Sequence, residues 1–421
     1  MTYPDSVRFL YALGNEIKTV KFGLERIAAV LDELGNPHRA CRFVHVAGTN
    51  GKGSTCALIE SALRAAGHRT GLYTSPHLVE PTERIQIAGQ PVSANQFTAA
   101  FDRVHQAAEH LLDRGTIDLH PTYFETVTAM AFVLFQEMQV ETVVLEVGLG
   151  GRLDATNVVT PELCVITPVD FDHEAWLGKS LQAIAHEKAG ILKPGVPAVV
   201  ASQHPEAQAE IERRVREIGA PLTNVTEAWR VEDLVCDARG SHFQAVGPHT
   251  IHVTCPLAGR HQAANALVAV AALDLLGTPM AAIEQGIAAA RWPGRIEHVA
   301  ESPEIILDGA HNPAGAAALA AYLDEFYPEP RITLIYGAMR DKAVAEVAGI
   351  LFPRAYEVIV TAPQQSRAAA PETVRELVDH PRASTAPDIA AALAQTRATS
   401  PDRVVLITGS LYLVGEAKAV L

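Results

Sequence analysis

The chain has no Lys/Arg block, no cysteine pair spaced C-x-x-C, no N-K-x-D tetrapeptide and no run of about 18 apolar residues. Each absence removes a class of function. Lysine and arginine number 34 against 48 acidic residues, a formal charge of −14, and the cations are scattered. A nucleic acid or an anionic membrane would meet an unfavourable field, so both are excluded as main partners. The five cysteines, Cys41, Cys56, Cys164, Cys236 and Cys255, are odd in number and far apart. They predict reduced, mostly buried thiols and a cytoplasmic location. The stretch "MTYPDSVRFLYALGNE" lacks a basic segment leading into an apolar one, so neither secretion nor membrane spanning is expected. Without a guanine-reading N-K-x-D, a GTPase switch is disfavoured.

What is present is 421 residues, 48% hydrophobic and 19% charged, enough for two or three soluble domains with well-filled cores. Short apolar runs such as "CRFVHVAG", "ETVVLEVG" and "ELCVITPVD" alternate with helical patterns. Runs too uniform to alternate, separated by helices, predict an α/β fold with a doubly wound parallel sheet covered on both faces. Cys56, Ile59, Leu63 and Ala66 recur at helical spacing and predict one apolar face after the first run. A helix is expected around 95–114, and 225–256 reads as richer in strands and turns. The βαβ rhythm restarts near residue 298, which predicts a smaller Rossmann-like second domain. Residues 1–294 and 298–421 are the expected domains, with Pro293-Gly294 at the hinge.

Residues 45–55 read "HVAGTNGKGST". An ordinary phosphate loop runs G-x-x-x-x-G-K-[ST], the lysine reaching the β/γ-phosphates and the next hydroxyl holding Mg²⁺. Here Val46 replaces the first glycine and Gly53 follows Lys52. The segment Gly48-Thr49-Asn50-Gly51-Lys52-Gly53-Ser54 still offers inward-turning amides, a helix N-terminus and one full positive charge. A plain glycine-rich turn is the alternative.

Ligands in open parallel sheets sit beyond the carboxyl ends of strands. The next runs deliver Ser75, Glu146 and His173 there. A hydroxyl, a carboxylate and an imidazole make a mixed shell suited to Mg²⁺ beside phosphates, so no hydroxyl is needed directly after Lys52. Taken singly, Ser75 also reads as a turn residue, Glu146 as an ion-paired carboxylate and His173 as a satisfied polar group. Asp170 and Asp172 stay open as further carboxylates. Tyr123 and Phe124, in "PTYFET", read as rings for stacking or as core. Lys188, in "HEKAGILK", reads by itself as a solvated lysine beside Glu187.

Together "HVAGTNGKGST", "LYTSPHL", "TYFE", "EVGLGGRLDATN", "DHEAWLG", "EKAGILK", "GRHQAANA", "WPGRIE", "LDGAHNP" and "ITGSLYLVGE" follow the order of the folylpolyglutamate synthase/dihydrofolate synthase family. The chain resembles that family, itself grouped with the Mur ligases, over essentially its whole length. The resemblance implies an ATP-dependent amide ligase with its site between a P-loop-type domain and a Rossmann-like one. It implies that Gly51, Lys52, Gly53 and Ser54 cradle the triphosphate beside Thr49 and Asn50, and that Ser75, Glu146 and His173 bind Mg²⁺. It also implies a carbamylated Lys188. Asn265, Arg295 and Asp308 would contact ATP, with His311 close by. Thr122, Tyr123, Phe124, Glu125, Leu153, Asp154 and Ala155 would contact the pterin substrate. A monomer acting on folate or dihydropteroate, L-glutamate and ATP is expected. A Mur-type ligase on a cell-wall nucleotide precursor and a non-ligase nucleotide switch are the competing readings.

Overall fold

The computed structural model describes residues 1–13, 23–329, 331–340, 342–377, 380–396 and 403–421. Its larger sheet contains β1 (Arg42–Ala47), β2 (Thr70–Tyr73), β3 (Ile85–Ile87), β4 (Gln90–Pro91), β5 (Thr142–Glu146), β6 (Leu163–Ile166), β7 (Ala198–Val200) and β8 (Leu222–Asn224). Their order across the sheet is 4-3-2-5-1-6-7-8. All neighbours from β2 to β8 run parallel, while β3 and β4 add an antiparallel hairpin at one edge. That hairpin is not apparent from the sequence rhythm, because its strands are three and two residues long. β5 and β6 are buried along their whole length, as helices on both faces require.

The helix Lys52–Ala65 departs from its expected single apolar face. Every residue from Gly53 to Leu63 is buried. Its outer side is covered by the helices Arg260–Leu275 and Met280–Ala289, and Ser61 Oγ donates to the carbonyl of Gly286 at 2.7 Å. Ser61 is thus enclosed by neighbouring helices, while buried Glu60 accepts from Thr70 at the start of β2 and from Arg64 of its own helix.

The strand-rich stretch forms a separate antiparallel sheet of β9 (Arg230–Asp237), β10 (Gly240–Val246) and β11 (Thr250–Cys255). The smaller α/β body is built on β12 (Glu297–Glu301), β13 (Glu304–Leu307), β14 (Ile332–Tyr336), β15 (Glu357–Val360), β16 (Ala383–Thr385) and β17 (Val404–Thr408), in the order 12-13-17-14-15-16. Only β12 is antiparallel to its neighbour. The expected helix around 95–114 spans Ala94–Asp113, begun by a capping box between Ser93 and Gln96. Among the described residues no helix is long and apolar enough to cross a membrane, and the cysteines are free thiols, three of them buried.

Candidate active site

β2, β5, β1 and β6 are consecutive in the sheet, so the segments leaving them share one rim. β1 delivers the loop 48–51, flanked by Glu146 at the end of β5 and by the segment that follows β6. Ser75 lies two residues past β2, and its backbone N–H donates to Glu146 Oε2 at 3.1 Å. His173 lies seven residues past β6 in the left-handed region (φ 52°), a strained conformation for a residue with a Cβ. Lys52, Lys188, Ser75, Glu146, His173, Asn265, Arg295, Asp308 and His311 all line one cavity of about 380 Å³ between the two α/β bodies.

The loop's glycines are explained by close approach. Gly51 sits at φ 84°, and a Cβ there would stand 2.4 Å from the Asn265 amide oxygen. Gly53 packs beneath Trp292, whose ring would stand 2.7 Å from a Cβ. The hydroxyl of an ordinary phosphate loop is thus sterically displaced here by an indole. Thr49 Oγ1 ties the loop to the backbone of Asp170, donating to its carbonyl and accepting from its N–H, both at 3.0 Å. Asn312 Nδ2 donates to Asn50 Oδ1 at 2.9 Å, while its Oδ1 caps the helix Pro313–Phe326. Ser54 is buried in the first turn of its helix.

Lys52 Nζ donates to the carbonyls of Gly48 and Thr49 at 3.1 and 3.2 Å. Lys188, read from sequence alone as solvated, is 4% exposed and donates to the Gly48 carbonyl at 2.8 Å. Burial, reinforced by the charge of Lys52, pulls its amine down to about 7. Burial also raises Glu146, an effect that Lys52 opposes.

Asp172 organises the seam between the bodies. It pairs with Lys342 at 2.5 Å and lies 3.7 Å from both His173 and His311. Burial opposes its ionisation, yet the neighbouring His311 ring and the charge of Lys342 prevail and hold it well below the usual carboxylate range. Lys342 Nζ also lies 3.3 Å from His173 Nε2. Burial first, and then Lys342, pull His173 down to about 4, so its ring is neutral near pH 7. Across the cleft, Asp308 accepts from the N–H groups of Ile296 and Ala310, and Arg295 Nη1 donates to the Gly294 carbonyl.

A second cavity of about 230 Å³ adjoins the first and shares Ser75, His173 and His311 with it. Thr122, Phe124, Glu125, Leu153, Asp154 and Ala155 line it. Tyr123 instead lies in the core behind that wall, 5% exposed and stacked on Tyr11. Glu125 is held by Arg26 at 2.7 Å and by the Thr122 cap of its own helix. Asp154 accepts from Leu149 N–H and from Thr156, and burial pushes it up to about 6. Lys342, which lines the second cavity, and Trp292, which packs on Gly53, are two further residues of the site: "WPGRIE" marks the tryptophan in the sequence, and nothing there marks the lysine.

The donor set suits Mg²⁺ at Glu146 and Ser75. A buried carboxylate that accepts one hydrogen bond, from the Ser75 amide, keeps lone pairs for a hard cation. His173 has the neutral ring a ligand needs, though its Nε2 faces Lys342.

Residues 46–273 match the Mur ligase middle domain, and residues 294–411 match the glutamate ligase domain of Mur ligases. With a phosphate loop at the rim of one sheet facing a second α/β body, fold and site define an ATP-dependent ligase of the Mur type. Within that class, the chain belongs to the folylpolyglutamate synthase/dihydrofolate synthase family. It is 35% identical over 410 residues to the dihydrofolate synthase/folylpolyglutamate synthase of Bacillus subtilis, covering 95% of each. It is 37% identical over 433 residues to a probable bifunctional folylpolyglutamate synthase/dihydropteroate synthase of Haloferax volcanii, covering 99% of this chain and 50% of that longer relative. The structure of FolC from E. coli in complex with DHPP and ADP matches with a TM-score of 0.89 at 34% identity, covering 100% of this chain and 97% of that one.

Proposed function

We propose that this chain joins L-glutamate to the carboxylate of dihydropteroate, of folate (poly)glutamates, or of both, at the expense of ATP. The observation that carries the reading is the pair of joined cavities. One is lined by a phosphate loop, two lysines and a buried carboxylate, the other by Phe124 and aliphatic side chains, and Ser75, His173 and His311 belong to both. A triphosphate in the first would bring its γ-phosphoryl to the carboxylate of a flat acid in the second.

A carboxylate does not acylate an amine at neutral pH, because oxide is too poor a leaving group. Transfer of the γ-phosphoryl to a carboxylate oxygen breaks the bond to ADP and forms an acyl phosphate. Lys52 and the amides of residues 49–54 would stabilise charge on the transferring oxygens. Mg²⁺, when bound, neutralises phosphate charge, and Ser75, Glu146 and His173 would hold it. The glutamate amine then attacks the acyl carbon, loses a proton, and expels inorganic phosphate to leave the amide.

Lys188 has an uncharged population near neutrality, which is the form that adds to CO₂. A new N–C bond and a released proton would convert it to a carbamate anion beside the loop. Asn265, Arg295, Asp308 and His311 would contact the nucleotide from the 260–275 helix and the second body. Phe124 would stack on the pterin, with Thr122, Glu125, Leu153, Asp154 and Ala155 around it and Tyr123 supporting the wall. On this reading residues 1–294 bind nucleotide and pterin, residues 298–421 close over them about Pro293-Gly294, and the protein works as a cytoplasmic monomer.

ADP release is the test. It should require an acid and glutamate together, assayed separately with dihydropteroate and with a reduced folate monoglutamate. ATP hydrolysis indifferent to both would overturn the ligase reading.

A further inference from the structure

We propose that His105, Glu109 and His120 form a binding site for a borderline divalent transition-metal ion, of the Zn²⁺ type, beside the turn that leads into Thr122. One ligand atom from each lies within 4.8 Å of the other two. His105 and Glu109 are four residues apart on the helix Ala94–Asp113 and so share a face. His105 Nδ1 and His120 Nε2 are 3.2 Å apart. Two imidazole nitrogens on one tetrahedral zinc, each at about 2.0–2.1 Å, stand about 3.3–3.4 Å from one another. The pair is therefore already spaced as two ligands.

The second nitrogen of His120 fixes its tautomer. Nδ1 lies 3.0 Å from the Pro121 carbonyl, which can only accept, so Nδ1 carries the hydrogen and Nε2 presents its lone pair to His105. Metal-bound histidines are oriented by this kind of bond to a backbone carbonyl. Aromatic packing holds both rings in place. Phe9 meets His105 and His120 edge-on at centroid distances of 4.7 and 5.4 Å, and Phe101 stacks on His105 at 5.5 Å and 12°. Burial lowers the pKa of His120, favouring the neutral ring that ligates. The Glu109 carboxylate, half exposed and 4.0 Å from His105 Nδ1, is free to swing inward. On binding, the His105 hydrogen moves to its Nε2, and water completes the shell.

The donors differ in kind from those of the reaction centre. Two imidazoles and one carboxylate suit zinc, whereas the hydroxyl, carboxylate and single imidazole of Ser75, Glu146 and His173 form a more oxygen-rich set beside phosphates. An ion here would tie the connection before Thr122 to the long helix, two residues ahead of a side chain that lines the second cavity.

The experiment titrates the full-length protein with Zn²⁺ by calorimetry under excess Mg²⁺, alongside Glu109→Gln, His105→Ala and His120→Ala. One zinc equivalent should be lost in each histidine variant, and Glu109→Gln should weaken it by about tenfold or more. Zinc should raise the melting temperature of the unmodified protein by more than that of the variants. Co²⁺ in the same protein should give the intense visible bands of a four-coordinate ion, lost with either histidine. Failure of the unmodified protein to bind zinc, or equal zinc stoichiometry and affinity across all four proteins, overturns the site. Because Glu109 is half exposed, its variant keeps the test decisive even where a histidine variant does not fold.

Discussion

The amine of Lys188 lies 2.8 Å from the carbonyl oxygen of Gly48, so a lysine of the helix Leu181–Ala189 closes against the first glycine of the nucleotide loop. Its ordinary value of 10.5 falls to about 7 through burial and the charge of Lys52. Between those values the unfolded chain keeps a proton that the folded chain sheds. Stability therefore rises with pH across that window, by up to about 1.4 kcal/mol per unit. Lys188→Met should flatten the rise, measured as urea midpoints from pH 7 to 10 in CO₂-depleted buffer. An unchanged slope would contradict the burial argument.

Lys52 opens the helix that follows the loop and holds two loop carbonyls. Lys52→Ala should lower kcat by about 10² to 10³ with a smaller effect on binding of the acid substrate. Steady-state ADP release and equilibrium binding of the acid separate the two. Equal losses in both would point to a damaged fold instead.

Gly53→Ser restores the residue type of an ordinary phosphate loop, yet it should weaken ADP binding, because the new Cβ meets the Trp292 ring at 2.7 Å. Overpacking of this kind costs about 1–3 kcal/mol. Adding Trp292→Ala should recover part of the affinity. Calorimetry on the three proteins decides it, and a single variant that binds ADP as the original does would remove the steric account of Gly53.

Lys342→Ala leaves Asp172 buried without its nearest cation. Breaking a buried pair from one side costs on the order of 3–5 kcal/mol, and the loss falls on the seam between the two bodies. Small-angle scattering should show a larger radius of gyration. The double variant with Asp172→Asn should be less affected than Lys342→Ala alone, since the stranded charge is gone. Identical scattering from original and single variant would mean that the pair does not hold the seam.

The sequence is informative wherever one strand carries its own signal. Apolar runs ending in glycine, hydroxyl or acid mark β1, β2, β5 and β6 in the sequence and put Ser75, Glu146 and His173 at one rim. Long-range pairing leaves no such mark. Nothing near Lys342 announces Asp172, 170 positions earlier, and the helix spacing around Lys188 does not show that the loop covers it. The two-residue β4 is too short for any period, and the buried polar side of the helix Lys52–Ala65 looks solvated until the helices at 260–289 are packed on it. His105 and His120 belong to different segments, and only the fold brings them to 3.2 Å.

Asn312 ties its own helix start to Asn50, and so the first turns of two helices, Lys52–Ala65 from the larger body and Pro313–Phe326 from the smaller, open onto the same 380 Å³ space. Each contributes the positive end of a peptide dipole, and like ends repel. A polyanion lodged between them turns that mutual repulsion into attraction from both sides. Affinity between the bodies should therefore scale with the number of phosphates on the guest, and adenosine alone should leave the halves no closer than before.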